Sequence, residues 1–221
     1  MARARTDSDP RVRILDVAAQ VFASSGFAGA RIDDIAERAR VNKAMLYYHV
    51  GDKQALYAAV LLQTIDHALA RIDAALAAAR SAEERLRVIV STVAAAAQEN
   101  PNFAPLMLRE LASGGQSIPD QVVRRMARLF RTVAEILADG ERAGRFRNVD
   151  PVMTHMSIMG SIIVLTAGAP IRRRIRDVVG GPRASFVDRS AADIAAHFSD
   201  LILEGLQKRV PAPARRRTRT K

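Results

Sequence analysis

Residues 31–53 constrain the fold more than any other part of the sequence, because they combine two short helical patterns with a turn between them. Apolar residues recur at helical spacing over 32–39 and again over 43–49. Asn42 immediately precedes the second pattern and is a favourable N-cap, and Gly51 ends it. Two short helices joined by a tight turn are typical of a helix-turn-helix, whose second helix enters the DNA major groove. We therefore expect residues 31–53 to form a DNA-reading unit.

The outer surface of the second predicted helix carries side chains suited to DNA. Leu46 and Val50 are predicted to point inward, with Met45 in the same apolar footing. Small residues at the front of such a helix let it approach base edges, and Lys, Tyr and His donors at its rim can hold phosphates. The competing interpretations are that one tyrosine ring packs in the core and that the lysines are simply solvated. The candidate DNA-contacting residues are Arg31, Asn42, Lys43, Ala44, Met45, Tyr47, Tyr48, His49 and Lys53.

Helix start and stop signals divide the remaining sequence into further helices. A capping box at 81–84, for example, marks the start of one of them. Because no segment shows the alternation of a strand, we predict an all-α protein of about nine helices. The stretch 171–189, rich in Arg, Gly and Pro, is predicted to be a loop. The predicted helices cover 10–25, 32–39, 43–49, 52–79, 81–99, 101–113, 119–144, 151–168 and 190–209.

The net charge of +11 does not locate the DNA-binding surface, because it is concentrated elsewhere. Residues 208–221 hold seven Lys or Arg and no acid, and residues 171–183 hold five Arg and one Asp. The basic tail, residues 210–221, is predicted to be disordered. It either adds non-specific affinity for DNA or is an inert solvated end.

Several classes of protein are disfavoured by what the sequence lacks. The absence of Cys excludes disulfides, thiolate catalysis and Cys-ligated zinc. The four His are not spaced as metal ligands, and no Ser/His/Asp set, Glu-x-x-His pair or Gly-rich phosphate loop is apparent. We therefore expect no enzymatic activity, no metal and no cofactor. The N-terminus has no apolar core of the signal-peptide type, which favours a cytoplasmic location.

Four linked motifs occur in order in the N-terminal part: I-L-D-V-A-A-Q-V-F-A-S-S-G-F (14–27), I-D-D-I-A-E-R-A (32–39), V-N-K-A-M-L-Y-Y-H-V (41–50) and G-D-K-Q-A-L (51–56). They resemble the tetracycline-repressor (TetR) family of bacterial regulators. The resemblance implies a homodimer, an N-terminal DNA-binding domain of three helices and a C-terminal domain that binds an inducer. The expected division is a helix-turn-helix domain at 1–54, a helical ligand-binding and dimerisation domain at 55–209, and the tail at 210–221.

Three residues depart from the usual pattern of that family. Arg31 stands where Thr or Ser usually caps the second helix, and Arg cannot cap in this way. Arg40 stands where Gly usually forms the turn, so a left-handed turn would strain it by ~1 kcal/mol. Val50 replaces a commoner Phe and is smaller. We expect these departures to change individual contacts rather than the motif.

A ligand pocket in the C-terminal domain is a further expectation drawn from the resemblance. Met lines adaptable cavities, although Met at helical spacing is also ordinary core. A salt bridge between Arg109 and Glu110 would be a competing role for those two residues, and Thr166 is a further polar candidate. The candidate ligand-pocket residues are Phe103, Met107, Glu110, Phe130, His155, Met156 and Met159.

Residues 152–169 are nearly all apolar or small, but the run contains His155 and ends at Pro170 and an Arg cluster. A membrane span needs ~20 such residues, so we predict a buried helix at a dimer interface. The last helix would complete a four-helix seam with its symmetry mate.

Together these features predict a ligand-responsive transcriptional regulator. The favoured form is a repressor that binds a palindromic DNA operator as a homodimer through its last two helices. A small, largely apolar molecule would act as inducer, and no membrane is involved. One alternative is a sequence-indifferent architectural DNA-binding protein that acts through its basic tail. A less favoured alternative is an all-α enzyme whose C-terminal cavity does chemistry.

Overall fold

Ten helices make up the part of the chain that the structure, a computed structural model, describes, namely residues 9–179 and 189–207. No β-strand occurs within those ranges, so the all-α prediction is confirmed. The helices are α1 (Pro10–Gly29), α2 (Ile32–Ala39), α3 (Lys43–Val50), α4 (Lys53–Leu76), α5 (Ala82–Glu99), α6 (Phe103–Ala112), α7 (Asp120–Arg142), α8 (Pro151–Ala167), α9 (Ala169–Val179) and α10 (Ala191–Leu206).

The first helix begins and bends where local sequence signals predict. The Asp9 side chain accepts from the first turn, as expected of an N-cap before Pro. Gly26 leaves the helical conformation with φ 71° at the predicted stop, but a last turn continues to Gly29. Phe27 then packs its ring against Tyr57 of α4, with centroids 5.0 Å apart. This contact fixes the end of α1 against the helix that leads into the rest of the molecule.

Two hydrophobic cores share one long helix. The first core combines α1, α2, α3 and most of α4 with Leu106 and Met107 of α6 and Val122 of α7. The second combines Ile72 near the end of α4 with α5, α7, α8 and α10. Because α4 has 24 residues, it spans ~36 Å and contributes to both cores. Helix α4 therefore links the two cores.

The predicted loop over 171–189 is wrong in its first part, because α9 occupies Ala169–Val179. Ile171, Ile175 and Val178 recur at helical spacing along α9, and all three are exposed. The prediction relied on the abundance of Arg, Gly and Pro and overlooked this period. Residues 180–188 and the predicted basic tail lie outside the described residues.

Among the described residues, no single helix is long and apolar enough to cross a membrane. Helices α8 and α9 reach such a length and composition only as a pair, with a bend of 54° between them.

Candidate functional site

The turn between α2 and α3 has the geometry of a helix-turn-helix. Arg40 ends α2 in the left-handed conformation, with φ 56° and ψ 46°, as its position predicted. The Asn42 side chain accepts from the backbone N–H of Met45 at 2.7 Å and so caps α3. Leu46 and Val50 are buried and hold α3 against the first core. The outer surface of α3 is thereby fixed relative to α1 and α2.

Both tyrosines of α3 face outward, so neither packs in the core. Tyr48 is 87% exposed and Tyr47 is 42% exposed. The ring of half-buried His49 lies edge to face against Tyr48, with centroids 5.3 Å apart. Exposed Ala44 leaves room for close approach at the front of the helix. The expectation that Met45 packs inward with Leu46 and Val50 is wrong: it is 43% exposed, because consecutive helix positions point about 100° apart and Met45 lies to one side of the buried stripe.

Lys43 is engaged by a neighbouring carboxylate in this DNA-free structure. Its Nζ lies 2.8 Å from Oδ1 of Asp33 on α2, and both side chains are exposed. The hydrogen bond from Lys43 holds the pKa of Asp33 below its usual value, and the same contact raises the pKa of Lys43. Because the Lys43 ammonium has three N–H donors, a phosphate can bind it beside Asp33, and the contact then depends on the position of α2 as well as of α3.

The two flanking basic residues differ in what they contact. Arg31 precedes α2 and is exposed, and it makes no side-chain capping bond, as predicted. Lys53, at the start of α4, lies over the Phe27 ring at 4.8 Å from its centroid and donates to the carbonyl of Ala28 at 3.4 Å. Lys53 thus connects α4 to the end of α1, a role that the sequence did not reveal.

The seven candidate pocket residues do not surround one cavity. Met107 and Glu110 are buried, and Phe103 packs against the first core beside them. Met159 packs against the second core instead. None of the seven lines any of five prominent clefts in the described part of the chain, which lie in other places.

His155 and Phe130 are brought together, whereas Met156 is 53% exposed on the outside of α8. The imidazole of His155 meets the Phe130 ring edge to face at 5.5 Å between centroids. Its burial lowers the pKa of His155, and its Nδ1 has no hydrogen-bond partner among the described residues. The pair is a neutral, apolar contact between α7 and α8 rather than a charged ligand contact.

Arg109 and Glu110 contact different helices and do not pair with each other. Arg109 donates through Nη2 to the carbonyl of Ser24 on α1 at 2.8 Å. The carboxylate of Glu110 accepts from the hydroxyl of Tyr57 on α4 at 2.5 Å, and its second oxygen has no partner in the described structure. Burial, then the bond to Glu110, raises the pKa of Tyr57. Helix α6 is therefore joined to both α1 and α4.

Two clefts present polar groups that the sequence did not bring together. The junction cleft, about 430 Å³ between α1, α4 and the α5–α6 connection, is lined by residues that include Asp16, His67 and Glu99. The Arg172 cleft, about 530 Å³, lies where α8 meets α9 and is lined by residues that include Thr166 and Arg172. Thr166 was a sequence candidate, but Arg172 was assigned to a loop, so its place in the same cleft as Thr166 could not be predicted.

Comparisons with known proteins agree with this geometry. The family model described as "Bacterial regulatory proteins, tetR family" matches residues 14–60. A second model, "Tetracyclin repressor-like, C-terminal domain", matches residues 79–166. The second match covers most of the region between the helix-turn-helix and the end of α8.

Curated relatives and solved structures match this chain over most of its length. The HTH-type transcriptional regulator RutR of Escherichia coli (strain K12) is 32% identical over 154 residues, which cover 67% of this chain and 70% of RutR. The HTH-type transcriptional repressor NicS of Pseudomonas putida is 28% identical over 213 residues, covering 93% of this chain and 96% of NicS. The ketosteroid transcriptional regulator KstR2 of Mycobacterium tuberculosis shares the fold, with a TM-score of 0.71 at 22% identity over 93% of this chain and 98% of that one.

These relatives are transcriptional regulators rather than enzymes. The first family model covers the helix-turn-helix of this chain, and the second covers most of the helical region that follows it. The chain therefore belongs to the TetR family and is a transcriptional regulator with an N-terminal helix-turn-helix DNA-binding domain.

Proposed function

We propose that this protein is a homodimeric repressor that binds a near-palindromic operator and is released from it by a small molecule. The observation that carries the proposal is the outer face of α3, where Lys43, Ala44, Tyr47 and Tyr48 are all exposed on a rigidly seated helix. NicS, a repressor by name, matches this chain over 93% of its length, which favours repression over activation.

DNA binding would place α3 of each protomer in a major groove. In a helix-turn-helix dimer the two recognition helices lie about 34–36 Å apart, one turn of DNA. Ala44 and Met45 would approach base edges, while Tyr47, Tyr48 and His49 would hold phosphates and sugars. Asn42, Lys43, Arg31 and Lys53 flank that face, and each phosphate that a basic side chain neutralises steepens the salt dependence of binding by about one unit.

The dimer would form through α8 and α10. The outer face of α8 exposes Met153 (67%), Met156 and Val164, and α10 exposes Leu201. Apolar side chains gathered on one face of a chain mark an interaction surface. A second copy covers such a patch by a two-fold axis, which sets α8 and α10 against their symmetry mates in a four-helix seam.

Release by a ligand requires a coupling between the C-terminal domain and α3. Helix α4 supplies this coupling, because it contributes to both cores. It begins at Lys53, two residues after Gly51, which caps the end of α3. The bond between Tyr57 and Glu110 ties the same helix to α6. A coupling free energy of about 1–3 kcal/mol would weaken operator binding about 5–150-fold.

A gel-shift titration of the double variant Lys43→Ala/Tyr48→Ala tests the proposal, with DNA from upstream of the protein's own gene. We expect the affinity to fall at least about tenfold at fixed salt and the salt slope to decrease by about two units per dimer, because two lysines are lost. Arg131→Ala is the matched control, because it also removes one positive charge, from an exposed side chain on α7. This variant should bind the DNA as the unmodified protein does.

Unchanged affinity in the double variant would contradict the role of α3. If removal of residues 211–221 abolished binding instead, the protein would be the sequence-indifferent binder that its basic tail allows. Retained preference for the upstream DNA over unrelated DNA after that removal supports the operator-binding repressor.

A further inference from the structure

The Arg172 cleft combines an apolar wall with unpaired cationic groups. It opens between the end of α8, the start of α9 and the facing parts of α5, α6 and α10. Pro101, Leu165 and Ile194 contribute apolar surface. Its volume of about 530 Å³ lies within the range of about 300–1,000 Å³ typical of small-molecule sites.

Two polar atoms at this cleft are buried without a hydrogen-bond partner in the described structure. They are the hydroxyl oxygen of Thr166 and the Nε of Arg172. Buried polar groups in folded proteins are almost always paired, because desolvation without a partner costs free energy. Both residues line the cleft, so a small rotation of either side chain would turn the buried atom toward a bound group that supplies the missing partner.

The guanidinium of Arg172 is held at the end of α8 by the shape of the backbone there. A Cβ on Gly168 would lie 3.1 Å from Nη1 of Arg172 and 2.8 Å from the carbonyl oxygen of Val164. The side chain of Arg172 thus folds back over Gly168, in space that only glycine leaves open. Its position beside the carboxyl end of α8 also favours a cation, because the helix dipole is negative there.

Among the described residues, the charge on the cleft lining is of one sign. Arg173 and Arg189 also line the cleft, and its described lining includes no acidic residue. None of these three arginines forms an ion pair with another described residue. An arginine fork presents paired N–H donors that match a carboxylate, so an anion would satisfy both the charge and the buried Nε.

We propose that the Arg172 cleft binds an organic anion with an apolar body, whose carboxylate contacts Arg172 and Thr166. The apolar body lies against Leu165 and Ile194, and Arg173 and Arg189 add attraction at the mouth. The inference rests on the proposed ligand-responsive function and names the chemical class of its ligand. The Arg172 cleft lies outside the seven candidate ligand-pocket residues that the sequence suggested.

Isothermal titration calorimetry of the full chain with sodium decanoate tests the site, with 1-decanol as the uncharged probe of equal length. We expect decanoate to bind at least about tenfold more tightly than decanol, since only the carboxylate is charged and offers two acceptor oxygens to the guanidinium. Arg172→Met should weaken decanoate at least about tenfold and leave decanol unchanged. Arg174→Met, the same change at an exposed position of α9 outside the cleft, is the matched control.

Thr166→Val keeps the shape of the wall and removes only the hydroxyl, so it tests the site even if Arg172→Met does not fold. A decrease of about threefold or more in decanoate affinity is expected, because one hydrogen bond is lost. Circular dichroism at 222 nm checks that each variant is folded.

Three results would overturn the proposal. Equal affinity for decanol and decanoate would make the cleft merely apolar. An equal loss of decanoate affinity in Arg172→Met and Arg174→Met would show that only the overall positive charge of α9 attracts the anion. A monomeric Arg172→Met protein in light scattering would make Arg172 a subunit contact. The titration contains no DNA, so a failed operator assay would contradict the repressor proposal alone and leave the ligand result standing.

Discussion

At the scale of single residues, Arg40 carries the clearest strain. It is the one described non-glycine residue with positive φ, and its backbone N–H bonds to the carbonyl of Glu37 at 3.0 Å. The next N–H, that of Val41, reaches back to Ala36 and closes the end of α2. A side chain in this conformation costs free energy that glycine does not incur. The strain sits in the turn that sets the angle between α2 and α3.

Arg40→Gly should therefore stabilise the protein. We expect a gain of about 0.5–1 kcal/mol, because relief of the strain exceeds the extra chain entropy of glycine. The corresponding rise in melting temperature is about 1–4 °C for a chain of this size. Thermal unfolding followed at 222 nm measures it, at one protein concentration because the protomers are proposed to associate. Arg40→Ala keeps a Cβ and should change the melting temperature less; a lower melting temperature for Arg40→Gly would contradict the strain.

Caps were predictable from the sequence because they depend on residues three positions apart. Asn42 and Ser81 each accept from the expected backbone N–H. Asp52 and Ser190 cap α4 and α10 in the same way. Met45 and Lys53 were not predictable in the same way. Their surroundings depend on how α1, α3 and α4 pack, which a local pattern does not contain.

At the scale of elements, α6 is joined to α4 by a buried hydrogen bond between Tyr57 and Glu110. Both residues are almost completely inaccessible, and they lie 53 positions apart in sequence. One oxygen of the Glu110 carboxylate accepts a hydrogen bond from the Tyr57 hydroxyl. The other oxygen has no hydrogen-bond partner among the described residues. Such a group depends strongly on the donor it has, since an unpaired buried carboxylate is costly.

Tyr57→Phe should destabilise the protein by about 1–3 kcal/mol, because it leaves Glu110 buried without a donor. A double-mutant cycle with Glu110→Leu isolates the bond from general packing. The double variant should be less destabilised than the sum of the two single variants, since it removes both polar groups together. Urea unfolding curves provide the free energies, and strict additivity would show that the hydroxyl and carboxylate do not depend on each other.

Helix α9 shows where an element was missed although its pattern was present. The spacing of Ile171, Ile175 and Val178 is helical, but Arg, Gly and Pro dominate the composition of 171–189. Composition outweighed periodicity in the sequence interpretation. The missed helix matters for function, because Arg172 and Thr166 line one cleft only when α9 follows α8 directly after Gly168.

At the scale of the whole molecule, the sequence predicted the helices well and their convergence poorly. Amphipathic periods and caps place nine of the ten described helices, because these signals are local. The candidate pocket residues, by contrast, divide between the two cores and the surface of α8. Which residues meet across helices depends on packing angles that no single helix specifies. Sites built across helices therefore require the structure.

The proposed dimer makes a prediction for the assembled protein, through Met156 on the outer face of α8. Each protomer contributes the same patch to a two-fold interface, so one substitution changes the interface twice. Met156→Glu would place two carboxylates in an apolar seam, where burial of an unpaired charge is strongly unfavourable. We expect a monomer in sedimentation velocity and a loss of operator affinity of at least about tenfold, because the two half-sites are then bound independently.

Leu111→Glu, an exposed apolar-to-acid change on α6, is the control and should remain dimeric. A dimeric Met156→Glu protein with unchanged operator affinity would move the interface away from α8, and with it the spacing at which two copies of α3 reach the DNA.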